Sequence, residues 1–342
     1  MNTAGSLSTL GIAVGAYLMA SIPTEPPHPS QLQRHSPNTS SKSASAQSAE
    51  HLVASWAGKG EDRATKSCAG NPSALGLVRT VEVDTTGGPG FGFEQYKEHD
   101  FLLMKEVVLT FDDGPWPTNT RAVLDALAHH CVKATFFPIG KHALWHPEIL
   151  RQVAASGHTI GAHTWSHANL KVKADKATEE IEKGFSAVKL ALGAPPAPFF
   201  RFPYLQETKV QLGYLASRNI AIMSHDIDSF DFRMRKPEDV VKSVMTKLDR
   251  KGKGIILMHD FQQATARALA DLLNELKVKG YKVVHMKAKA PLSTLAQWDD
   301  AAKSEVNGSR IGADRPTSSV VRDIGDDSVQ SNAIRMQGIQ KK

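Results

Sequence analysis

The chain has 342 residues, enough for one large domain or two ordinary ones, and 41% of them are hydrophobic, enough to build a core. Its 41 Lys and Arg against 35 Asp and Glu leave a net charge of +6, an excess typical of a solvated surface. No basic stretch is interleaved with aromatics, so nothing supports nucleic-acid binding.

Residues 1–22 contain the apolar run Leu10–Ala20, short for a membrane span but suited to the core of a secretory signal, with Ala20-Ser21 as the cut point. The residues before the run carry no Lys or Arg. The expectation is export to the periplasm, envelope or medium, with no stable membrane span. Residues 23–66 turn to Ser, Pro, Thr, Gln and His without apolar period, the composition of a disordered linker. Residues 67–104 form an N-terminal extension in which Val81-Glu-Val-Asp84 can add a strand at the domain edge. Cys68 opens it, and with Cys131 it makes an even pair that is either a disulfide or two buried thiols.

From residue 105 to 298 the pattern is regular. Apolar, β-branched runs occur at Glu106–Phe111, Ala134–Ile139, Thr159–Ala162, Phe199–Phe202, Ile220–Ser224, Gly254–Met258 and Tyr281–His285. Amphipathic stretches lie between them, at Asn119–His130, Pro147–Ser156, Ala174–Leu192, Thr208–Arg218, Pro237–Arg250 and Ala264–Val278. Repeated strand-then-helix order predicts a parallel sheet covered by helices. Residues 299–342 are polar, lack a sustained period and read as a disordered tail.

The chemistry gathers after the strands. Thr110-Phe-Asp-Asp-Gly-Pro115 ends the first run with two carboxylates before a tight turn. Alone it is ordinary turn chemistry. His163-Thr-Trp-Ser-His167 follows the third run, and one helical turn would bring both imidazoles to one side. His129-His130, by contrast, reads as a plain surface pair. Phe199-Phe-Arg-Phe-Pro-Tyr204 holds an Arg among aromatics, poorly placed for a solvated charge and in need of a carboxylate partner. His225-Asp-Ile-Asp-Ser-Phe-Asp-Phe232 carries three acids, and Ile255-Ile-Leu-Met-His-Asp260 ends a buried run in His259. Five strand ends can supply one site only if they converge on one mouth, which favours a barrel over a doubly wound sheet. Two histidines with a carboxylate suit Zn²⁺ and equally Co²⁺ or Ni²⁺, and the sequence does not choose among them.

Taken in order, these motifs resemble the NodB-homology polysaccharide deacetylases, carbohydrate esterase family 4, over about Lys105 to Met286. The resemblance implies an α/β fold, a distorted (β/α)7 barrel, and metal-dependent removal of acetyl groups from amino sugars. Carried over residue by residue, it implies Asp113, His163 and His167 as ligands of one divalent transition metal. Asp112 corresponds to the base for the attacking water and Arg201 to the arginine that tethers it. His259 corresponds to the acid for the departing amine, with Asp231 holding it. Tyr204, Leu257, Phe232 and Trp116 correspond to substrate-binding positions. Phe232 stands where the family usually has Trp, which removes an indole N–H from the acetyl pocket. Asp226 in place of Asp231 would put the wrong spacing before that ring. The implied partner is a glycan bearing N-acetylglucosamine, whether chitooligosaccharide, peptidoglycan or a related polysaccharide; nothing points to a protein partner. An O-acetyl esterase of xylan-type polymer and a silent glycan-binding barrel remain the alternatives.

Overall fold

Every residue of Glu106–Asp113 (β3) is buried. A strand covered on both faces belongs at the centre of a helix-clad parallel sheet, and its near-continuous apolar sequence reflects that. In the computed structural model, which describes residues 71–308, β3 pairs with Thr135–Pro138 (β4) and with Gly254–His259 (β9). From β4 the sheet passes to Thr159–Ile160 (β5), and a bridge from Ala162 to Phe200 leads to Phe199–Phe200 (β6). Beyond β6 come Ala221–Met223 (β7) and, outside it, Gly90–Phe91 (β2). Ile227–Asp228 (β8), next in the chain, pairs with β9 and brings the ring back to β3. All of these pairings are parallel. The result is α/β, a distorted barrel.

Two features make the distortion. Lys282–Ala288 (β10) pairs only with the first two residues of β3, Glu106 and Val107. Leu77–Val83 (β1) then adds to the free side of β10, the edge strand expected around Val81. Helices Asn119–His130 (α1), Gly140–Trp145 (α2), Pro147–Ala155 (α3), Ala177–Leu192 (α4), Lys209–Ser217 (α5), Pro237–Lys251 (α6) and Gln263–Val278 (α7) connect the strands. Among the described residues no helix is long and apolar enough to cross a membrane.

Period-two alternation decides which side chains meet the interior. On β3, Val107, Leu109 and Phe111 pack outward with the helices, while Val108 joins an inner cluster with Phe137, Phe199, Ala221, Met223 and Ile255. Thr110 and Asp112 share the parity of Val108. On β9, Ile255 is inner and Ile256 and Met258 are outer, so Leu257 and His259 continue the inner row. After β6, Arg201 continues the parity of Phe199.

Two expectations are corrected. The polar tail does not begin at residue 299: Ala296–Gly308 is helical (α8) and lies on α4. Fully buried Ala302 packs there with Trp165 and Ala187, and ion pairs Lys183–Glu305 (2.6 Å) and Lys189–Asp299 (2.7 Å) flank it. Few apolar residues face α4, and an isolated Ala on a polar helix leaves no readable period. His130, expected on the surface, is 1% exposed. The signal segment, the linker, Cys68 and the remainder of the tail lie outside the described residues; Cys131 is not a free thiol.

Candidate active site and metal centre

Asp112 and Asp113 are adjacent, so a regular strand would send them to opposite faces. Asp113 has φ 75°, a left-handed conformation costly for a residue with a Cβ. That rotation turns its carboxylate back to the mouth beside Asp112. The next residue must be glycine, because a Cβ at Gly114 would collide with the Asp260 carboxylate.

His163 and His167 do not sit on a helical turn. Residues 163–167 form an irregular loop with left-handed Thr164 (φ 65°) and His167 (φ 60°). Side-chain bonds that compete with a helix hold it. Thr164 Oγ1 accepts from the His167 N–H (2.9 Å), and Glu180 of α4 accepts from the Ser166 N–H (2.8 Å) and hydroxyl (2.7 Å). α4 approaches this closely because residue 184 is Gly; a Cβ there would lie 2.6 Å from the Thr164 carbonyl carbon. Trp165 points away from the mouth into the α4–α8 cluster.

The outcome is a triad of two buried side chains, Asp113 and His163, with His167 partly exposed. His163 Nε2 lies 3.6 Å and His167 Nε2 3.5 Å from Asp113 Oδ1. Among the described residues these three form the one group that could hold a metal ion. They fit a cation on four counts. Asp113 Oδ1 is buried without a hydrogen-bond partner, which is costly unless something positive meets it. His163 Nδ1 donates to the Arg201 carbonyl (2.7 Å), leaving Nε2 with its lone pair toward Asp113. Burial pushes His163 down to about 3, so the ring is neutral as a ligand must be. Burial would raise Asp113, but nearby His167 and His259 outweigh it and hold the acid below its ordinary value.

Asp112 faces Arg201, which has no solvent exposure. Its guanidinium donates to Asp112 Oδ1 (2.7 Å), Thr110 Oγ1 (2.9 Å) and the carbonyls of Met223 and Ser224 (2.9 Å each). Phe137 stacks 4.5 Å from it. Burial raises Asp112 to about 6, with Arg201 opposing. On the adjacent strand, in register with Asp112, His259 Nδ1 meets Asp231 Oδ1 at 2.6 Å. Asp231 is also held by the His259 N–H (2.7 Å) and the Thr265 hydroxyl. Burial alone would depress His259; the Asp231 charge and hydrogen bond, then Asp113 and Asp112, override it and raise the ring to about 10. Asp226 is elsewhere, accepting from the backbone of Phe93 and Ile255.

Around this centre Tyr204 is half exposed at φ 58°, its ring 4.9 Å from that of His167. Phe232 is exposed and meets the His259 ring edge-on at 5.7 Å. Leu257 is buried on β9. Trp116 packs on His142 (5.4 Å) and His146 (5.6 Å). Sequence reasoning passed over three supports: His142, whose Nδ1 lies 2.6 Å from the Asp113 carbonyl; Thr265; and Asp260, bonded to Gly114 and Thr120. Asp260 had a signal, since it directly follows His259. The other two are visible only in three dimensions.

The sequence profile of the family described as Polysaccharide deacetylase matches residues 103–221. A chitooligosaccharide deacetylase of Sinorhizobium fredii is 30% identical over 221 residues, covering 60% of this chain and 94% of the relative. The chain belongs to the polysaccharide deacetylase family. Within the family, a peptidoglycan-N-acetylglucosamine deacetylase of Bacillus cereus is 35% identical over 184 residues, 52% of this chain and 66% of the relative. The peptidoglycan deacetylase Bd3279 of Bdellovibrio bacteriovorus superposes with a TM-score of 0.58 at 35% identity, over 64% of this chain and 61% of its own. The match to these two deacetylases is therefore partial, spanning less than two thirds of their lengths.

Proposed function

We propose that the protein is a metal-dependent N-deacetylase of N-acetylglucosamine-containing glycan, chitooligosaccharide or peptidoglycan. One observation carries this reading: a carboxylate tethered by Arg201 and an imidazole paired with Asp231 stand in register on neighbouring strands beside an Asp-His-His cluster. That is a base, an acid and a cation site in one mouth.

Asp113, His163 and His167 would hold the cation, Zn²⁺ first among the candidates and Co²⁺ or Ni²⁺ next. When bound there, such a cation would supply Lewis acidity, lowering the pKa of water and polarising the acetyl carbonyl. Asp112 takes the proton of the attacking water, and Arg201 holds the carboxylate in line for it. The water oxygen bonds to the carbonyl carbon, and a backbone N–H near Tyr204 would receive the resulting oxyanion. His259 delivers a proton to the amide nitrogen as the carbon–nitrogen bond breaks, giving acetate and a free amino sugar. Asp231 keeps that imidazole charged. Leu257 lines the space for the acetyl methyl, while Phe232, Tyr204 and Trp116 flank the sugar.

The acid half separates an amide from an ester, because an amine leaves only when protonated. The relatives named for peptidoglycan and chitooligosaccharide support the same substrate class. Export through residues 1–22 fits a glycan met outside the cytoplasm, and the mature N-terminus tests it. The activity is tested by acetate release from chitooligosaccharide, peptidoglycan and acetylated xylan, with and without chelator. Release from the first two, abolished by chelation and restored by metal, is expected. Release from acetylated xylan alone would move the reading to an esterase, and none from any would leave a binding protein.

A further inference from the structure

We propose that Asp260 is a positioning residue, clamping the turn after β3 so that Asp112 and Asp113 are presented in fixed register with His259. Its role rests on the reaction proposed above. The case begins with alternation along β9: His259 continues the inner row, so Asp260 falls on the outer, helix-facing side. A carboxylate there would ordinarily reach solvent, yet Asp260 is 1% exposed.

Both its oxygens are committed to the turn. Oδ1 accepts from the Gly114 N–H (3.0 Å) and Oδ2 from the Thr120 hydroxyl (2.6 Å). Thr120 Oγ1 in turn accepts from the Trp116 N–H (2.7 Å), and Asn119 Nδ2 donates to the carbonyl of Phe261 (2.6 Å). The segment from Gly114 to Thr120 is thus fastened at both ends to residues 260 and 261. The carboxylate sits among Phe111, Phe136, Leu150 and Val153 beneath the turn. Its side-chain hydrogen bonds go to Gly114 and Thr120 of the turn, so it acts through the turn.

What the clamp controls is the peptide after Asp113. That residue is left-handed, a conformation that persists only where its surroundings over-determine it. Gly114, bonded to Asp260 and unable to carry a Cβ, supplies that constraint from the strand that also bears the acid. The two halves of the site are therefore joined by one side chain. A misplacement of about 1 Å at a reacting group costs on the order of 100-fold in rate, and loss of a group that orients a metal ligand costs about 10- to 100-fold in affinity.

The test uses the full chain with Asp260→Ala, Asp260→Asn and Thr120→Val. Zn²⁺ affinity of metal-stripped protein is measured by calorimetry, and kcat and KM for acetate release are measured on the loaded protein. Both are taken where near-UV circular dichroism matches wild type. Asp260→Ala is expected to lower kcat about 10- to 100-fold with KM nearly unchanged, and to weaken Zn²⁺ about tenfold. Asp260→Asn keeps an acceptor for the Gly114 N–H and recovers most of both. Thr120→Val falls in between, and it decides the matter if Asp260→Ala does not fold. Wild-type zinc affinity and kcat in a folded Asp260→Ala, or failing that in Thr120→Val, would overturn the clamp. A wild-type protein that binds Zn²⁺ but releases no acetate would overturn the reaction instead, and the zinc affinities alone would then judge Asp260.

Discussion

Arg201 makes four hydrogen bonds from a position water never reaches. Removing one partner of such a pair strands the other, at about 3–5 kcal/mol. Arg201→Met should therefore destabilise the protein by about that much in denaturant titration and abolish activity, whereas a rim residue such as Phe232→Ala should change KM with little effect on stability. The pairing of Arg201 with an acid was legible because an Arg between aromatics has no use for solvent. The hand-off of His163 Nδ1 to the Arg201 carbonyl was not, since backbone acceptors leave no mark in sequence.

The same residues set the pH response. Asp112 must be ionised to accept a proton, so activity is expected to fall as pH drops through about 6. His259 must be protonated, so the alkaline limit lies near about 10. A bound cation moves both limbs down together, without changing their order. Asp231→Asn removes the chief cause of the raised histidine, leaving burial to lower it. The alkaline limb of kcat/KM should then move to lower pH, and a limb that stayed in place would show that another group is the acid. The sign for stability agrees: His259, raised above its unfolded value of about 6.5, adds stability present below that pH and lost as pH rises through about 10.

Among the elements, each of the seven apolar runs holds a strand, including the two-residue β5 and β6, while β2, β8, α2 and α8 left no readable signal. Strand β3 was expected at Glu106–Phe111 and helix α1 at Asn119–His130, and they run Glu106–Asp113 and Asn119–His130. Strands β2 and β8 have two residues each, too few for any period, and α2 is a six-residue turn after β4. The loop of the two histidines was misread as helical because four-residue spacing suits a helix, while Thr164 and Glu180 bond it otherwise. Helix α8 matters to the site through this loop: Ala302 packs on Trp165, whose neighbours at two residues either side are the histidines. Ala302→Asp would bury a charge without a partner. It should weaken metal binding and lower the melting temperature together, measured by calorimetry and thermal unfolding, although residue 302 touches no ligand.

At the scale of the molecule, the barrel is what brings five strand ends together, and the five motifs in sequence already require that convergence. What sequence could not supply was the irregular closure, in which β10 meets only two residues of β3 and β1 extends outward from it. Such register depends on side chains from both ends of the chain. The cluster is built in the folded state, so a bound metal must stabilise it. At a free concentration 100 times the dissociation constant the gain is about 2.7 kcal/mol, or roughly 5–10 °C in melting temperature for a domain this size. Chelation should reverse that shift, and His163→Ala should abolish it.

The division of labour between the adjacent aspartates is the central claim, and acetate release by metal-replete Asp112→Asn tests it most directly. With Asp113, His163 and His167 intact, the variant should still carry one equivalent of metal, while kcat falls by about 100- to 10,000-fold, as loss of a general base requires. Turnover within a few-fold of wild type at full metal occupancy would contradict the assignment of Asp112 as the base.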